Sequence, residues 1–261
     1  MRVLAALVLA PLAIALAYAG GWLWALLVTL VSIGLFAEWL MVVGAGSVAL
    51  TGAGTIVIAM MGACVAFGAL KTAVITGLIG GAIVTVIARG KFVWVASGFA
   101  YASAALLASI LLRQDLVNGF AALMFVLLVV WATDIGGYFA GRSIGGPKLW
   151  PRVSPKKTWS GALGGFAASL LVAAAFAACG LGKMVPLLLV SAILSVVSAC
   201  GDLFESAVKR RFDVKDSSHL IPGHGGLLDR LDGFVAAILV AWIIGFLRHG
   251  VHSAGSGLMV W

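Results

Sequence analysis

The feature that most constrains the fold of this chain is a succession of long apolar segments. Nine can be drawn in the 261 residues, near 3–18, 22–43, 54–70, 72–88, 92–112, 116–139, 160–180, 184–204 and 232–248. About 20 apolar residues are enough for a helix to cross a bilayer, and a lipid-exposed backbone is satisfied only in helices and closed barrels. The sequence therefore predicts an all-α, polytopic membrane helical bundle of about nine transmembrane helices.

Composition agrees with a membrane setting. The chain is 63% hydrophobic and 10% charged, whereas soluble domains carry about 25% charged residues. The net charge of +8 is attributed to cytoplasmic loops beside anionic lipid, and we expect no nucleic acid as partner. The first apolar segment is interpreted as a retained helix, with a signal peptide as the alternative, because no polar break separates it from the second.

The basic residues predict the orientation in the membrane. With the N-terminus inside and nine spans, 13 of the 17 Lys and Arg residues fall on the cytoplasmic side. The four on the other side are Lys71, Arg113, Lys183 and Arg248. Cytoplasmic loops of membrane proteins carry such an excess of positive charge. This orientation places two polar inserts, near 141–158 and 205–231, on the cytoplasmic face.

The first polar insert is basic and rich in glycine. After Asp134 it contains no further acid, and its cations are Arg142, Lys148, Arg152, Lys156 and Lys157. Its glycines, which we expect to allow close backbone approach, are Gly136, Gly137, Gly141, Gly145 and Gly146. Exposed amides and cations together suit a polyphosphate. A basic loop that only contacts lipid headgroups is an equally good interpretation of the composition.

Local signals in this insert predict a turn followed by a helix. Pro155 predicts a turn before Lys156, and Thr158 or Ser160 is predicted to cap the next helix. Ser154 and Thr158 also add hydroxyl donors to the basic residues. A helix N-terminus binds anions, which agrees with a phosphate-binding insert.

The second polar insert concentrates the acidic residues. Six of the nine acids in the chain lie between Gly201 and Asp232, namely Asp202, Glu205, Asp213, Asp216, Asp229 and Asp232. Charge near a bilayer is costly, so a cluster of this kind indicates a functional site. Two carboxylates on separate helices, with cations nearby, suit Mg²⁺. The alternative is a set of ion pairs that lock two helix ends.

Helical spacing sorts the members of this insert. It predicts that Asp202, Ser206 and either Lys209 or Arg210 share one helix face. Glu205 and Asp213 are interpreted as surface or helix-end charges, and Asp216 and Asp232 as supporting groups. Asp229 and Asp232 also suit a helix N-terminus by their charge alone.

Several isolated residues complete the list of candidates. Asp134 lies near the end of the sixth span and is interpreted as a site residue or as the partner of Arg142. Glu38, within the second span, is either a structural hydrogen-bond acceptor or part of a lipid groove. His224 lies between glycines and is predicted to reach a phosphate. The three cysteines are predicted to be small buried side chains without a disulfide.

These observations favour transfer of a phosphoryl or nucleotidyl group to an anionic lipid, since such chemistry needs positioning and charge neutralisation. The alternative from another class is a membrane ion transporter or channel that uses Asp134, Asp202 and Asp229. It is disfavoured because the acids gather at one face and no inverted repeat is visible.

One stretch of the second insert carries a specific resemblance. It reads Ser206-Ala-Val-Lys-Arg, four residues, Lys215-Asp216, and then Pro222-Gly-His-Gly-Gly-Leu-Leu-Asp-Arg-Leu-Asp232. This pattern resembles the signature of the phosphatidate cytidylyltransferases, or CDP-diacylglycerol synthases. The first insert, with Asp134-Ile-Gly-Gly-Tyr-Phe-Ala-Gly-Arg142 and Ser154-Pro-Lys-Lys-Thr158, resembles the same family, although Ser160 stands where the family usually has a glutamate.

The resemblance implies an activity and a set of site residues. The reaction would convert CTP and phosphatidic acid to CDP-diacylglycerol and pyrophosphate, in phospholipid biosynthesis. The implied catalytic residues are Asp202, Ser206, Lys209 and Asp229, of which Asp202 and Asp229 would hold a divalent metal such as Mg²⁺. The implied substrate-binding residues are Asp134, Arg142, Ser154, Lys156, Lys157, Thr158, Arg210, Lys215, Asp216, His224 and Arg230.

The resemblance also suggests the setting of the protein. We expect one integral membrane domain over 1–261, with 1–130 as scaffold and lipid groove and 131–250 as the catalytic half. The expected location is the bacterial inner membrane, with the active site facing the cytoplasm. A homodimer is suggested by the family. The multi-aspartate pattern of the CDP-alcohol phosphotransferases, a further enzyme alternative, is not found in this sequence.

Overall fold

The computed structural model describes residues 2–88, 90–218 and 225–261. Of the described residues, 80% are helical. The helices are α1 (Arg2–Ala19), α2 (Gly21–Val42), α3 (Val48–Ala66), α4 (Leu70–Ile87), α5 (Phe92–Arg113), α6 (Gly119–Ser143), α7 (Trp159–Ala178), α8 (Met184–Arg211), α9 (Leu228–His249) and α10 (Ala254–Met259). Two short strands, β1 (Lys148–Trp150) and β2 (Ser154–Thr158), lie between α6 and α7.

The helices α2 to α9 confirm the prediction of an all-α polytopic membrane protein. Each of these eight is long and apolar enough to cross a membrane, and in α1 the side chains are described only over Ala10–Ala19, a shorter apolar stretch. The predicted boundaries differ most at α8, which continues from the predicted end near 204 to Arg211. Loss of apolarity marks where a helix leaves the lipid, and the polar residues beyond that point continue the same helix.

The backbone contacts divide the chain into two compact units. The first comprises Met1–Ile110 and Arg211–Arg230, and the second comprises Leu111–Arg210 and Leu231–Trp261. In the first unit, α2 packs on α3 and α3 packs on α4. Large aromatic side chains join α2 to α5 in the same unit: Phe36 meets Phe99 edge to face with ring centroids 5.8 Å apart, and the Trp39 indole donates a hydrogen bond of 2.8 Å to the Trp94 carbonyl.

In the second unit, α6 and α7 pack through glycines. A Cβ placed at Gly161 would lie 2.9 Å from the carbonyl oxygen of Gly137, and one placed at Gly136 would lie 2.9 Å from that of Gly164. Gly141 and Gly161 also meet through their Cα atoms, since a Cβ on either would lie 3.4 Å from the other. The structure thus gives Gly136, Gly137 and Gly141 a role in helix packing, where small residues let backbones approach in lipid.

The first insert contains an antiparallel hairpin of β1 and β2, in which Lys148 is opposite Thr158 and Trp150 is opposite Ser154. The turn predicted at Pro155 is wrong, because Pro155 lies within β2. The predicted cap is confirmed: Thr158 precedes α7, and its hydroxyl accepts a hydrogen bond of 3.1 Å from the Gly161 amide. Strand pairing over so few residues leaves too little alternation for the sequence to indicate it.

The cysteine prediction is partly wrong. Cys64, Cys179 and Cys200 are free thiols, as expected, but Cys179 and Cys200 are exposed on the chain. The helices of a membrane protein can present apolar side chains to lipid as well as to each other. An apolar neighbourhood in the sequence therefore did not indicate burial within the protein.

Candidate active site

Four charged side chains of the second unit form a cluster, here called the aspartate cluster: Asp134, Asp202, Asp232 and Lys157. Lys157 of β2 makes an ion pair with Asp202 of α8. The charges of Asp202 and Lys157 also act on Asp134 of α6 and on Asp232 of α9. The cluster thus joins the basic hairpin of the first insert to the acid-bearing helices on either side of the second.

Small residues bring the helices of this cluster together. A Cβ at Gly201 would lie 2.7 Å from the carbonyl oxygen of Asp232, so α8 and α9 touch beside Asp202. Directly before Asp134 in α6, the hydroxyl of Thr133 donates a hydrogen bond of 3.0 Å to Ser195 of α8. The backbone positions of all three aspartates are therefore fixed by close helix contacts.

The shared helix face predicted for α8 is confirmed in part. The Ser206 hydroxyl donates to Asp202 Oδ1 at 3.4 Å. Lys209, however, pairs with Glu205 at 2.7 Å, and the two side chains are 12% and 3% exposed. The surface interpretation of Glu205 is wrong: burial of both partners on one helix turn makes it part of an internal ion pair. Arg210 is exposed, and its Nε lies 3.5 Å from the Val153 carbonyl.

In the first unit, Asp229 lies in the first turn of α9. Its Oδ2 accepts hydrogen bonds from the Ser217 amide at 3.1 Å and the Gly226 amide at 3.0 Å, and it lies 3.1 Å from the Ser217 hydroxyl. Gly225 has a φ of 83°, in the region that favours glycine, and a Cβ there would lie 3.3 Å from Asp229 Oδ2. This dense set of donors holds the carboxylate in one orientation.

Glu38 of α2 lies beside the same segment and is fully buried. Its Oε1 accepts hydrogen bonds from the Ser218 hydroxyl at 2.6 Å and the Leu227 amide at 2.8 Å. Its Oε2 accepts from the Ser217 hydroxyl at 2.9 Å and the Leu228 amide at 2.7 Å. Of the two roles that the sequence left open, the structure selects the structural hydrogen-bond acceptor.

The remaining predicted site residues are mostly accessible. Those with exposed side chains are Arg142, Lys156, Lys215, Asp216 and Arg230, while Ser154 is half-buried. Asp213 is exposed just after α8 with a φ of 54°, which confirms its interpretation as a helix-end charge. His224 lies outside the described residues. Asp202 and Asp229 belong to different compact units.

The donor chemistry fits a divalent cation. The aspartate cluster holds three carboxyl groups beside one lysine, and a cation would offset the repulsion between the carboxylates. Within residues 2–88, 90–218 and 225–261, no group of three or more His, Cys, Asp or Glu side chains is gathered as a metal site. Mg²⁺ commonly binds through one or two carboxylates together with substrate phosphates and water, so carboxylate oxygens such as those of Asp202 and Asp229 are suitable ligands.

Two members of these networks were underestimated from the sequence. Asp232 was interpreted as a support but interacts with the other charges of the aspartate cluster. Glu38 was left with two alternative roles, although one signal of its importance was present: it is the single acid in the first 114 residues of the chain. A lone carboxylate in an apolar helix needs several donors from elsewhere in the fold, but the sequence does not indicate which segment supplies them.

Known proteins similar to this chain point to one family. The cytidylyltransferase family matches residues 1–247. A phosphatidate cytidylyltransferase of Brucella suis biovar 1 (strain 1330) is 53% identical over 167 residues, which are 62% of this chain and 61% of the relative. One of Bacillus subtilis (strain 168) is 46% identical over 122 residues, 45% of this chain and 44% of the relative.

A third relative, the phosphatidate cytidylyltransferase of Haemophilus influenzae, is 43% identical over 131 residues, 48% of this chain and 46% of the relative. The matched part thus spans less than two thirds of the length of each of these relatives. The family match extends over nearly the whole chain, from α1 to the last turn of α9. The chain is a member of the cytidylyltransferase family.

Proposed function

We propose that this protein is a membrane-bound phosphatidate cytidylyltransferase, which makes CDP-diacylglycerol and pyrophosphate from CTP and phosphatidic acid in phospholipid biosynthesis. The observation that carries the proposal is the Lys157–Asp202 ion pair, because it joins the basic hairpin to the acidic helix. Relatives of 43–53% identity that are named for this activity support it. The expected location is the inner membrane, with the site facing the cytoplasm, and a homodimer is part of the proposal.

The proposed reaction is a substitution at phosphorus. An oxygen of the phosphatidate phosphate forms a bond to the α-phosphorus of CTP, and the bond from that phosphorus to the bridging oxygen breaks, so pyrophosphate leaves. The attacking phosphate is already ionised near pH 7, since the second pKa of a phosphomonoester is about 6. The protein therefore needs no general base for this step, and its task is to bring two anions together.

The cations of the chain perform this task in the proposal. Arg142, Lys156 and Lys157 lie at the end of α6 and on β2, and they would bind the triphosphate by charge and hydrogen bonding. Arg210, Lys215 and Arg230 would orient the phosphates of either substrate. Ser206, through its hydrogen bond to Asp202, would hold that carboxylate in place, and Lys209 is proposed as a further site residue.

Asp202 and Asp229 are proposed to hold Mg²⁺. The bound ion would neutralise charge on the phosphate oxygens and on the departing pyrophosphate. Asp134 and Asp232, which interact electrostatically with Asp202, would add carboxyl groups beside the proposed ion, and the ion would relieve their repulsion. His224 and Asp216 remain proposed substrate contacts on the resemblance alone, and Ser154 and Thr158 would contribute through their position on β2.

The experiment that tests the function is an assay of the purified protein in liposomes with phosphatidic acid, Mg²⁺ and each of the four ribonucleoside triphosphates. We expect pyrophosphate release and CDP-lipid only with CTP. Absence of product from folded protein would overturn the proposal. Cation flux in the same liposomes, without nucleotide dependence, would instead support a transporter or channel.

Paired variants test the site residues. Asp202→Asn should lower turnover about 100-fold, because a lost charge-stabilising contact typically costs this much or more. Asp213→Asn is the matched control, since Asp213 is an exposed acid of the same stretch with a positive φ that asparagine tolerates. Equal turnover in the two variants would contradict the role of Asp202.

The phosphate-binding role of the hairpin has a separate test. Lys156→Ala should raise the CTP concentration needed for half-maximal rate and change the maximal rate less, because Lys156 is an exposed cation on β2. An unchanged CTP dependence, with weaker binding of the protein to anionic liposomes, would favour a lipid-headgroup role for this insert.

A further inference from the structure

The buried carboxylate of Glu38 carries an inference beyond the residues named by the family signature. An ionised carboxylate inside an apolar helix is costly unless donors surround it. Each Glu38 oxygen accepts two hydrogen bonds, at distances between 2.6 and 2.9 Å. Four bonds fill the usual accepting capacity of a carboxylate, so Glu38 is used fully within the fold.

The four donors come from both sides of one segment. Ser217 and Ser218 precede the stretch 219–224, and Leu227 and Leu228 follow it, directly before the first turn of α9. One side chain of α2 therefore ties the two ends of this segment to the same point. Both ends belong to the signature region, whereas Glu38 lies far outside it in the sequence.

Gly226 shows how closely the segment approaches Glu38. A Cβ at this position would lie 2.6 Å from Glu38 Oε2 and would also collide with the Ser217 hydroxyl. Real Cβ atoms do not come within 3.0 Å of such neighbours. The glycine is required here for space, so that the backbone can reach the carboxylate.

The same contacts lead to Asp229. The Ser217 hydroxyl lies 2.9 Å from Glu38 Oε2 and 3.1 Å from Asp229 Oδ2, and its single hydrogen can be donated fully to only one of them. The Gly226 amide donates to Asp229 while the next amide, of Leu227, donates to Glu38. The donors that orient Asp229 are thus themselves held by Glu38.

We propose that Glu38 is a positioning residue, which orients Asp229 for metal binding through Ser217 and the Gly226–Leu228 backbone. The proposal rests on the function proposed above for Asp229. In this role Glu38 of α2 contributes to the reaction although it does not contact the substrate. The proposal also explains why the single acid of the first 114 residues lies at this depth in an apolar helix.

The kinetic test compares Glu38→Gln with a control in the same helix. In Glu38→Gln, one carboxylate oxygen is replaced by an NH2 group, which cannot accept the two hydrogen bonds made to that oxygen. Two of the four hydrogen bonds are therefore lost. A hydrogen bond to a charged group is worth enough free energy to change a rate about tenfold or more. We expect about a tenfold fall in turnover per folded molecule and a higher Mg²⁺ concentration for half-maximal rate. The CTP requirement should change less.

Ser32→Ala is the matched control, because Ser32 is fully buried in α2 and its hydroxyl makes no hydrogen bond within the described part of the chain. It should leave turnover and Mg²⁺ dependence as they are. If Glu38→Gln does not fold, Ser217→Ala and Ser218→Ala each remove one donor and should shift the Mg²⁺ dependence in the same direction, Ser217→Ala more strongly. Normal Mg²⁺ dependence in every folded variant would overturn the proposal.

Hydrogen–deuterium exchange provides a test that does not depend on activity. In the wild type, the amides of Gly226, Leu227 and Leu228 are hydrogen-bonded to carboxylates and should exchange slowly. In Glu38→Gln, peptides covering 225–229 should exchange about tenfold faster, and in Ser32→Ala they should not. Unchanged exchange in Glu38→Gln would overturn the proposed role of Glu38 even if the enzyme is active. If the wild type is inactive but Glu38→Gln exchanges faster and Ser32→Ala does not, the result counts only against the proposed function.

Discussion

The glycine interface between α6 and α7 allows a prediction of lost stability that a second, compensating substitution should reverse. A Cβ at Gly164 would meet the Cβ of Ala140 at less than the 3.0 Å that real Cβ atoms keep, while carbon atoms pack best at about 3.5–4.0 Å. Gly164→Ala therefore has to push α7 away from α6. That movement would also disturb the contacts of Gly136 with Gly164 and of Gly137 with Gly161.

The expected magnitude follows from two opposing effects. Overpacking costs about 1–3 kcal/mol, and alanine in place of glycine favours a helix by about 1 kcal/mol. Gly52→Ala isolates the second effect, because Gly52 lies in α3 with open space around its Cα. The two variants should thus differ by about 1–3 kcal/mol in the free energy of unfolding, which corresponds to roughly 3–10 °C in Tm.

The assay is thermal unfolding in detergent, followed by intrinsic tryptophan fluorescence, with turnover measured beside it. The swap Gly164→Ala with Ala140→Gly moves one methyl group across the interface and should restore most of the lost Tm and turnover. Turnover is expected to follow because α7 is continuous with β2, which bears Lys156 and Lys157. A swap no more stable than Gly164→Ala alone would refute the packing argument.

Three further predictions concern other polar groups. Asp115→Ala should lower the free energy of unfolding by about 3 kcal/mol in thermal melts, because the amides of Val117, Asn118 and Ser256 lose their acceptor. Burial raises the pKa of Asp115, but these hydrogen bonds outweigh it and leave the pKa below its usual value. The stabilisation by the ionised Asp115 should therefore be complete above about pH 4 and be lost as the pH falls through the lower pKa of the folded state. The difference in Tm between wild type and Asp115→Asn should then shrink on acidification. An unchanged difference in Tm would contradict this role of Asp115. Lys209→Met should cost about 3 kcal/mol in the same melts, since it removes the cation from a buried ion pair with Glu205, and Lys209→Met with Glu205→Gln should recover part of it; no recovery would argue against the pair.

The membrane helices were predictable because one physical property, apolarity over about 20 residues, is sufficient to specify them. The same property failed where a helix leaves the lipid. Asp202, Glu205 and Lys209 lie on one continuous helix that ends at Arg211, and a boundary drawn from apolarity stops near 204. In this helix Lys209 pairs with Glu205, four residues before it. The sequence spacing allowed this pair but did not require it.

The sequence predicted which residues belong to the candidate site, but it did not predict which of them contact each other. Charged residues are scarce in this chain, so the two polar inserts were visible as the places where they concentrate. The pairing of Lys157 with Asp202 and the bonds from Ser217 and Leu228 to Glu38 join residues far apart in the sequence. Such contacts depend on how helices pack, and local patterns carry no information on that packing.

Because Glu38 accepts hydrogen bonds from both Ser218 and Leu227, it fixes the two ends of the chain segment between them, and fixing the ends of a segment costs chain entropy. The entropic cost of closing a loop rises only with the logarithm of its length, by about 0.6 kcal/mol for each doubling. Added residues between these two anchors would therefore change the folding free energy very little. If activity proves sensitive to the length of this segment while Tm does not, that length is set by the chemistry and not by folding.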